Sequence, residues 1–214
     1  TRETKARIED AMLAAGIDRD GCVLALGGGV VLDLAGFVAA TYLRGIDHVA
    51  VATSLLSQVD AAVGGKTAVN TPLGKNLVGA FHHPRAVLLD WSALEHLPEL
   101  ELRAGLAEAV KHALICDEPL LRCIEAWSGR AAELPEEIVT RSVTIKAAVV
   151  AEDERDRGRR HILNFGHTVG HAIEHGSGNS VHHGHAVASG MVVEARAAGQ
   201  AGLFPAADLT RLVG

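Results

Sequence analysis

No apolar run in this sequence approaches the ~18 residues a membrane-spanning helix needs, so no transmembrane segment is expected. No charged stretch followed by an apolar one opens the chain, and no secretory leader is expected either. Lys and Arg form no block or stripe, and the formal net charge is -6, which argues against nucleic acid as a main partner. Cysteine is scarce and odd in number. Cys22, Cys116 and Cys123 are scattered, without C-x-x-C spacing, and read as buried or idle thiols of a reducing, cytoplasmic compartment. Repeats and low-complexity tracts are absent. What is present, 48% hydrophobic and 21% charged residues in 214, suits a soluble globular chain of one large domain or two small ones. Histidine stands out: there are twelve, most of them in the second half.

Strand and helix signals alternate over the first 90 residues. Thr1 to Gly16 reads as an amphipathic helix with Ala6, Ile8, Met12 and Leu13 on its apolar side. Cys22 to Leu26 reads as a buried strand, followed by Gly27-Gly28-Gly29 and a helix over Val30 to Ala40. Val49 to Val51 and Ala86 to Asp90 supply further strands, with a helix through Leu55, Leu56 and Val59 between them. This alternation predicts an α/β layer with a mainly parallel sheet over residues 1–90. From 91 to 214 the spacing is helical: Pro98 to Ile115, Glu118 to Trp127, Pro135 to Ala151, Ile162 to His175 and Gly184 to Gly202. Pro98, Pro119 and Pro135 stand where a first helical turn tolerates proline, and Asp117 is placed to cap. Glu152 to Arg160 is a charged link.

Four groups of residues carry chemical potential. Gly27-Gly28-Gly29 between strand and helix would let a pyrophosphate approach backbone and helix N-terminus, with Asp33 one turn on, although a tight turn alone explains the same glycines. The segment Asp60 to Asn76 holds Asp60, Lys66, Lys75 and Asn76 beside Gly64, Gly65 and Gly74. It reads as a loop able to cradle a phosphate or carboxylate, or as an ordinary solvated loop. His167 and His171 share a helix face, and His183 opens the next helix; with Glu108 as carboxylate the set suits zinc or another divalent ion. Glu108 and Lys111 could equally be an ion pair on a solvated face. Arg159, Arg160, Asn164 and Lys146 would suit an anionic substrate or be linker charges.

Taken in order, these motifs resemble the 3-dehydroquinate synthase family. The resemblance runs through Gly27 to Phe37, Thr41 to Gly45, Leu55 to Asp60, Val63 to Thr67, Gly74 to Asn76, Leu97-Pro98 and Glu101 to Glu108. Lys111, Asn164 to Glu174 and His183-Gly184 complete it. It implies a Rossmann-like NAD-binding α/β part, incomplete here, followed by an all-α metal-binding domain, both shortened relative to the family. It implies Glu108, His167 and His183 as zinc or cobalt ligands, with His171 nearer the substrate phosphate, in place of His167 and His171 as joint ligands. Gly27, Gly28, Gly29, Asp33, Thr53 and Ser54 would lie along NAD. Asp60, Lys66, Lys75, Asn76, Lys111, Lys146, Arg160, Asn164 and His171 would line the substrate pocket, with Lys66, Lys111, Asn164 and His171 in catalysis. Arg44 would reach a neighbouring subunit's phosphate, implying a homodimer.

The implied reaction takes 3-deoxy-D-arabino-heptulosonate 7-phosphate through a transient oxidation by NAD, phosphate elimination, reduction, ring opening and aldol closure to 3-dehydroquinate. The chain departs from the family at Leu32 (usually glycine), His83 (usually glutamine) and His185 (usually glutamate). Competing readings are a related cyclase of aminodehydroquinate or epi-valiolone type, an iron-type polyol dehydrogenase, and a non-catalytic truncated paralogue.

Overall fold

The computed structural model describes residues 1–178 and 180–213. They fall into two compact units, Thr1–Leu97 and the residues from Pro98 onward.

The first unit opens with helix α1 (Arg2–Ala14), whose first turn is capped by Thr1 accepting from the Thr4 amide. Strand β1 (Cys22–Gly27) leads into α2 (Gly29–Thr41), then β2 (Asp47–Ala52). A hairpin of β3 (Lys66–Thr71) and β4 (Gly74–Phe81) precedes β5 (Ala86–Leu89). Strands β1, β2 and β5 form a parallel sheet in that spatial order, with Gly27 level with Ala52 and Ala52 with Leu89. Parallel neighbours need a crossover, and α2 provides the one between β1 and β2. The core is built from small residues: Ala25, Ala50, Ala52 and Ala62 close around Leu32. Leu32, where the family usually has glycine, is absorbed where alanines leave room.

Two expectations for this unit change. Strand β1 is not buried on both faces: Ala25 is covered, but Leu24 and Leu26 are 67% and 63% exposed. Alternation of side chains puts them on the uncovered face of the sheet. The segment expected to be a loop is largely the antiparallel β3–β4 hairpin. Thr67 and Val69 are buried while Lys66 and Asn70 are exposed, a period of two masked by weakly apolar residues. The helix after β2 is a π-turn over Ser57–Ala61. Gln58 in it donates to the carbonyls of Ala52 and Asp90, at 3.1 and 2.9 Å, tying the ends of β2 and β5 together.

The second unit is helical throughout its described residues. Its long helices are α3 (Glu99–Cys116), α4 (Glu118–Ala126), α5 (Glu136–Glu152), α6 (His167–Gly176), α7 (His183–Gln200) and α8 (Ala206–Val213). Asp117 caps α4, accepting from the Leu120 amide at 2.9 Å. The helix expected from Ile162 is interrupted: a 3-10 stretch covers Arg159–Asn164, and Gly166 (φ 81°) resets the chain before α6. Ala109, Ala113, Leu120, Ile138 and Ile145 form the core between α3, α4 and α5. The three thiols are free, with Cys22 and Cys116 exposed and Cys123 half-buried. No helix among the described residues is long and apolar enough to cross a membrane.

Candidate metal centre and anion-binding groups

In the first unit the candidate nucleotide residues gather at the carboxyl ends of β1 and β2, where open parallel sheets commonly bind ligands. The Thr53 amide donates to Gly27 O at 3.1 Å. A Cβ on Gly28 would stand 3.4 Å from Ser54 Oγ, and one on Gly27 2.8 Å from Val31. Glycine at these positions brings the chain close to the start of α2, whose first N–H groups have no partner within the helix. Ser54 is held by Ser57, whose hydroxyl donates to Ser54 O at 2.8 Å. Asp33 accepts from Asn76 Nδ2 at 3.4 Å, so the hairpin reaches back to α2.

The hairpin separates the two lysines that a loop would have kept together. Lys66 pairs with Phe81 at its base, whereas Lys75 sits beside the turn that joins Thr71 to Gly74. Four to five residues of strand, roughly 15 Å, lie between them. Asn76 takes a left-handed conformation (φ 54°), its amide donating to Asn70 Oδ1 at 3.0 Å. The His83 ring lies against Gly65, where a Cβ would be 3.0 Å from it. Arg44, Lys66, Lys75 and Asn76 are exposed and Asp60 is half-buried.

In the second unit, Glu108 and Lys111 lie on the buried face of α3, at 0% and 2% exposure, joined as an ion pair. A solvated pair is excluded. Lys111 contacts Glu108 Oε2, while Glu108 Oε1 is buried with no hydrogen-bond partner among the described residues. His167 Nε2 is 3.7 Å and His183 Nε2 3.9 Å from that oxygen. Their other ring nitrogens are engaged: His167 Nδ1 with Phe165 O at 3.3 Å, His183 Nδ1 with Glu174 Oε2 at 3.2 Å. A carbonyl or carboxylate oxygen can only accept, so each Nδ1 carries a proton, the tautomer that suits Nε2 as the ligand atom facing Glu108 Oε1. Three lone-pair donors thus face one another within 4.8 Å at separations too long for hydrogen bonds. A cation fits this arrangement, and a proton shared among them does not. Two imidazoles and a carboxylate are a donor set that zinc and cobalt accept.

Glycines bring these ligands together. A Cβ on Gly184 would sit 2.2 Å from Ala104 O, so the start of α7, with His183, rests directly on α3. His171 is exposed on α6, its ring 5.4 Å from that of His167, and groups with Glu174 and His183. Sequence reasoning missed Glu174, which is buried and holds His183 in the tautomer just described; its position three residues after His171 was the available signal.

Lys146 on α5 and Arg160 are both buried, while Asn164 is exposed. Asp153 builds the Arg160 loop by accepting from the amides of Arg157, Gly158 and Arg160. Those donors, the Arg157 amide foremost, hold its carboxyl below the usual carboxylate range. Arg160 in turn donates to Glu154 O at 2.9 Å.

The fold is that of the sugar-phosphate cyclases. A 2-epi-5-epi-valiolone synthase from Streptomyces hygroscopicus subsp. jinggangensis, solved with NAD+ and Zn2+ bound, matches with a TM-score of 0.93 at 31% identity, over 100% of this chain and 61% of that one. A 2-deoxy-scyllo-inosose synthase complexed with carbaglucose-6-phosphate, NAD+ and Co2+ matches with a TM-score of 0.89 at 32% identity, over 100% of this chain and 59% of that one. Within this class the sequence is more specific. The family models for the N-terminal and C-terminal parts of 3-dehydroquinate synthase match residues 1–104 and 105–214, and the chain belongs to that family. The 3-dehydroquinate synthase of Pelobacter propionicus is 50% identical over 211 residues, 96% of this chain and 59% of that protein. The chain therefore spans about three-fifths of this relative's length.

Proposed function

We propose that the chain carries the nucleotide- and metal-binding parts of a 3-dehydroquinate synthase. That enzyme converts 3-deoxy-D-arabino-heptulosonate 7-phosphate to 3-dehydroquinate and phosphate. The observation that carries this reading is the convergence of Glu108 Oε1, His167 Nε2 and His183 Nε2, in a chain of this family. Residues 1–90 would form the NAD-binding layer and 91–214 the metal and substrate domain. Glu108, His167 and His183 would hold a divalent ion, which would supply Lewis-acid polarisation of the hydroxyl to be oxidised, and the glycine turn would hold NAD, which would supply the hydride chemistry.

This chain's own residues have definite parts. Glu108, His167 and His183 hold the ion, with Lys111 paired to the other carboxylate oxygen of Glu108. Gly27, Gly28, Gly29, Asp33, Thr53 and Ser54 hold the dinucleotide. Lys146 and Arg160, buried cations on structured backbone, take the phosphate or carboxylate of the substrate, and His171 and Asn164 meet it from exposed positions. Lys66, Lys75, Asn76 and Asp60 orient the remaining groups, so that elimination and closure happen in one geometry. Homodimerisation through Arg44 and a cytoplasmic setting belong to the same reading.

The test measures release of inorganic phosphate from the heptulosonate phosphate. This chain and one extended at both ends to the relatives' length are compared, with and without chelator. Chelator-sensitive release by the extended chain is expected; its absence defeats the proposal. Metal analysis should find about one divalent ion per chain, as a single three-ligand site requires, lost in Glu108→Ala and in His167→Ala. Full metal content in both variants would refute the ligand set.

A further inference from the structure

We infer that Glu194, three turns into α7, is a positioning residue for the metal centre and acts through the first turn of α6. The inference rests on the metal reading above and extends it to a residue outside the ligand set.

A helix starts with N–H groups that have no partner within it, and a Ser, Thr, Asp or Asn at the cap position usually supplies an acceptor. Helix α6 cannot use one. Its cap is Gly166, in the left-handed region at φ 81°, where a Cβ would lie 2.5 Å from Met191 Cγ and 2.7 Å from Val187 O. The packing of α6 on α7 is equally tight from the other side, since a Cβ on Gly190 would stand 2.0 Å from Gly166 O. The close approach therefore forbids a local cap and brings one from the facing helix. Glu194 Oε2 accepts from the Gly166 amide at 2.7 Å and Oε1 from the Val169 amide at 3.2 Å.

The two bonds flank His167, the first residue of α6. Both carboxylate oxygens are engaged by backbone, so Glu194 serves as an acceptor clamp and not as a ligand. A carboxylate at a helix N-terminus also meets the positive end of the helix dipole. Glu174 makes the complementary contact, reaching from α6 to His183 at the start of α7. Each helix thus sends a carboxylate to the start of the other, where the other's metal-ligating histidine stands. Supporting contacts of this kind are typically worth 10- to 100-fold in metal affinity, because the ligand's geometry depends on them.

The experiment measures Co2+ affinity by chelator competition, together with the visible absorption of bound Co2+ and the melting temperature of the metal-free chain. Wild type, Glu194→Ala and Glu194→Gln are compared. Arg211→Ala, which breaks the ion pairs of Arg211 with Glu118 and Glu125 on α4, serves as a baseline for lost stability. Glu194→Ala should weaken Co2+ binding about tenfold or more and alter the absorption band. Glu194→Gln, which keeps one oxygen acceptor, should fall between it and wild type. If Glu194→Ala does not fold, Glu194→Gln decides alone. Wild-type affinity and spectrum in the variants that fold would overturn the inference, as would an equal loss of affinity in Arg211→Ala. A wild-type chain that binds no Co2+ would remove the metal reading itself, and this inference with it.

Discussion

The two units present their functional groups in opposite ways. In the first, the charged candidates Arg44, Lys66 and Lys75 stand exposed, and the glycine turn offers backbone. In the second, Glu108, Lys111, Lys146 and Arg160 are buried, and their placement is inseparable from helix packing. An exposed lysine can be lost without disturbing what lies beneath it. A buried ion pair cannot, because desolvation has already been incurred and only the partner offsets it. Site chemistry and fold stability should therefore be separable in the first unit and coupled in the second.

Lys111 offers the sharpest way to break this comparison. Lys111→Ala leaves the Glu108 carboxylate buried without its cation, and should cost about 3–5 kcal/mol of stability in the metal-free chain. Urea unfolding measures it, and a loss under 1 kcal/mol would mean that the pair is not buried as described.

The next effect lies in the interior of the first unit, away from its exposed charges. His48 is buried and stacked on His82 at 5.1 Å between ring centroids. Burial first, and the His82 imidazole second, push its pKa from the usual 6.5 down to about 4. Between those two values the unfolded chain binds the proton and the folded chain does not, so stability falls as the pH is lowered through this window. The loss should approach about 3 kcal/mol by pH 4. The contribution of His48 is isolated by comparing wild type with His48→Gln at pH 7, 6 and 5. Parallel pH profiles for the two proteins would rule it out.

The smallest effect is expected at the hairpin. Lys66→Ala and Lys75→Ala should each change stability by no more than about 0.5 kcal/mol, as exposed substitutions do. A thermal melt checks this, and a drop several times larger in either variant would contradict the exposed placement of these two lysines.

Much of the local structure was legible because it is local. Helices α3, α4, α5 and α7 and the three parallel strands follow from apolar spacing, and the Asp117 cap from a residue type at one position. The β3–β4 hairpin was hidden because Thr67, Ala68 and Asn70 alternate in burial without alternating strongly in hydropathy. Glu174 could have been found beside His171. Glu194 could not, since its partners lie 25 and 28 residues away and nothing in the intervening sequence announces the contact.

The amino-acid order alone determined the family, the change from alternating to helical periodicity, and the residue types able to bind a cation or an anion. Those properties reside in side-chain chemistry and in spacings of a few residues. Tertiary structure decided that Glu108 meets two histidines about 60 and 75 positions later, that its pair with Lys111 is buried, and that the two hairpin lysines stand apart. The physical reason is that such proximity depends on how closely backbones can approach. Here that is set by Gly166, Gly184 and Gly190, which have no side chain to keep the helices apart.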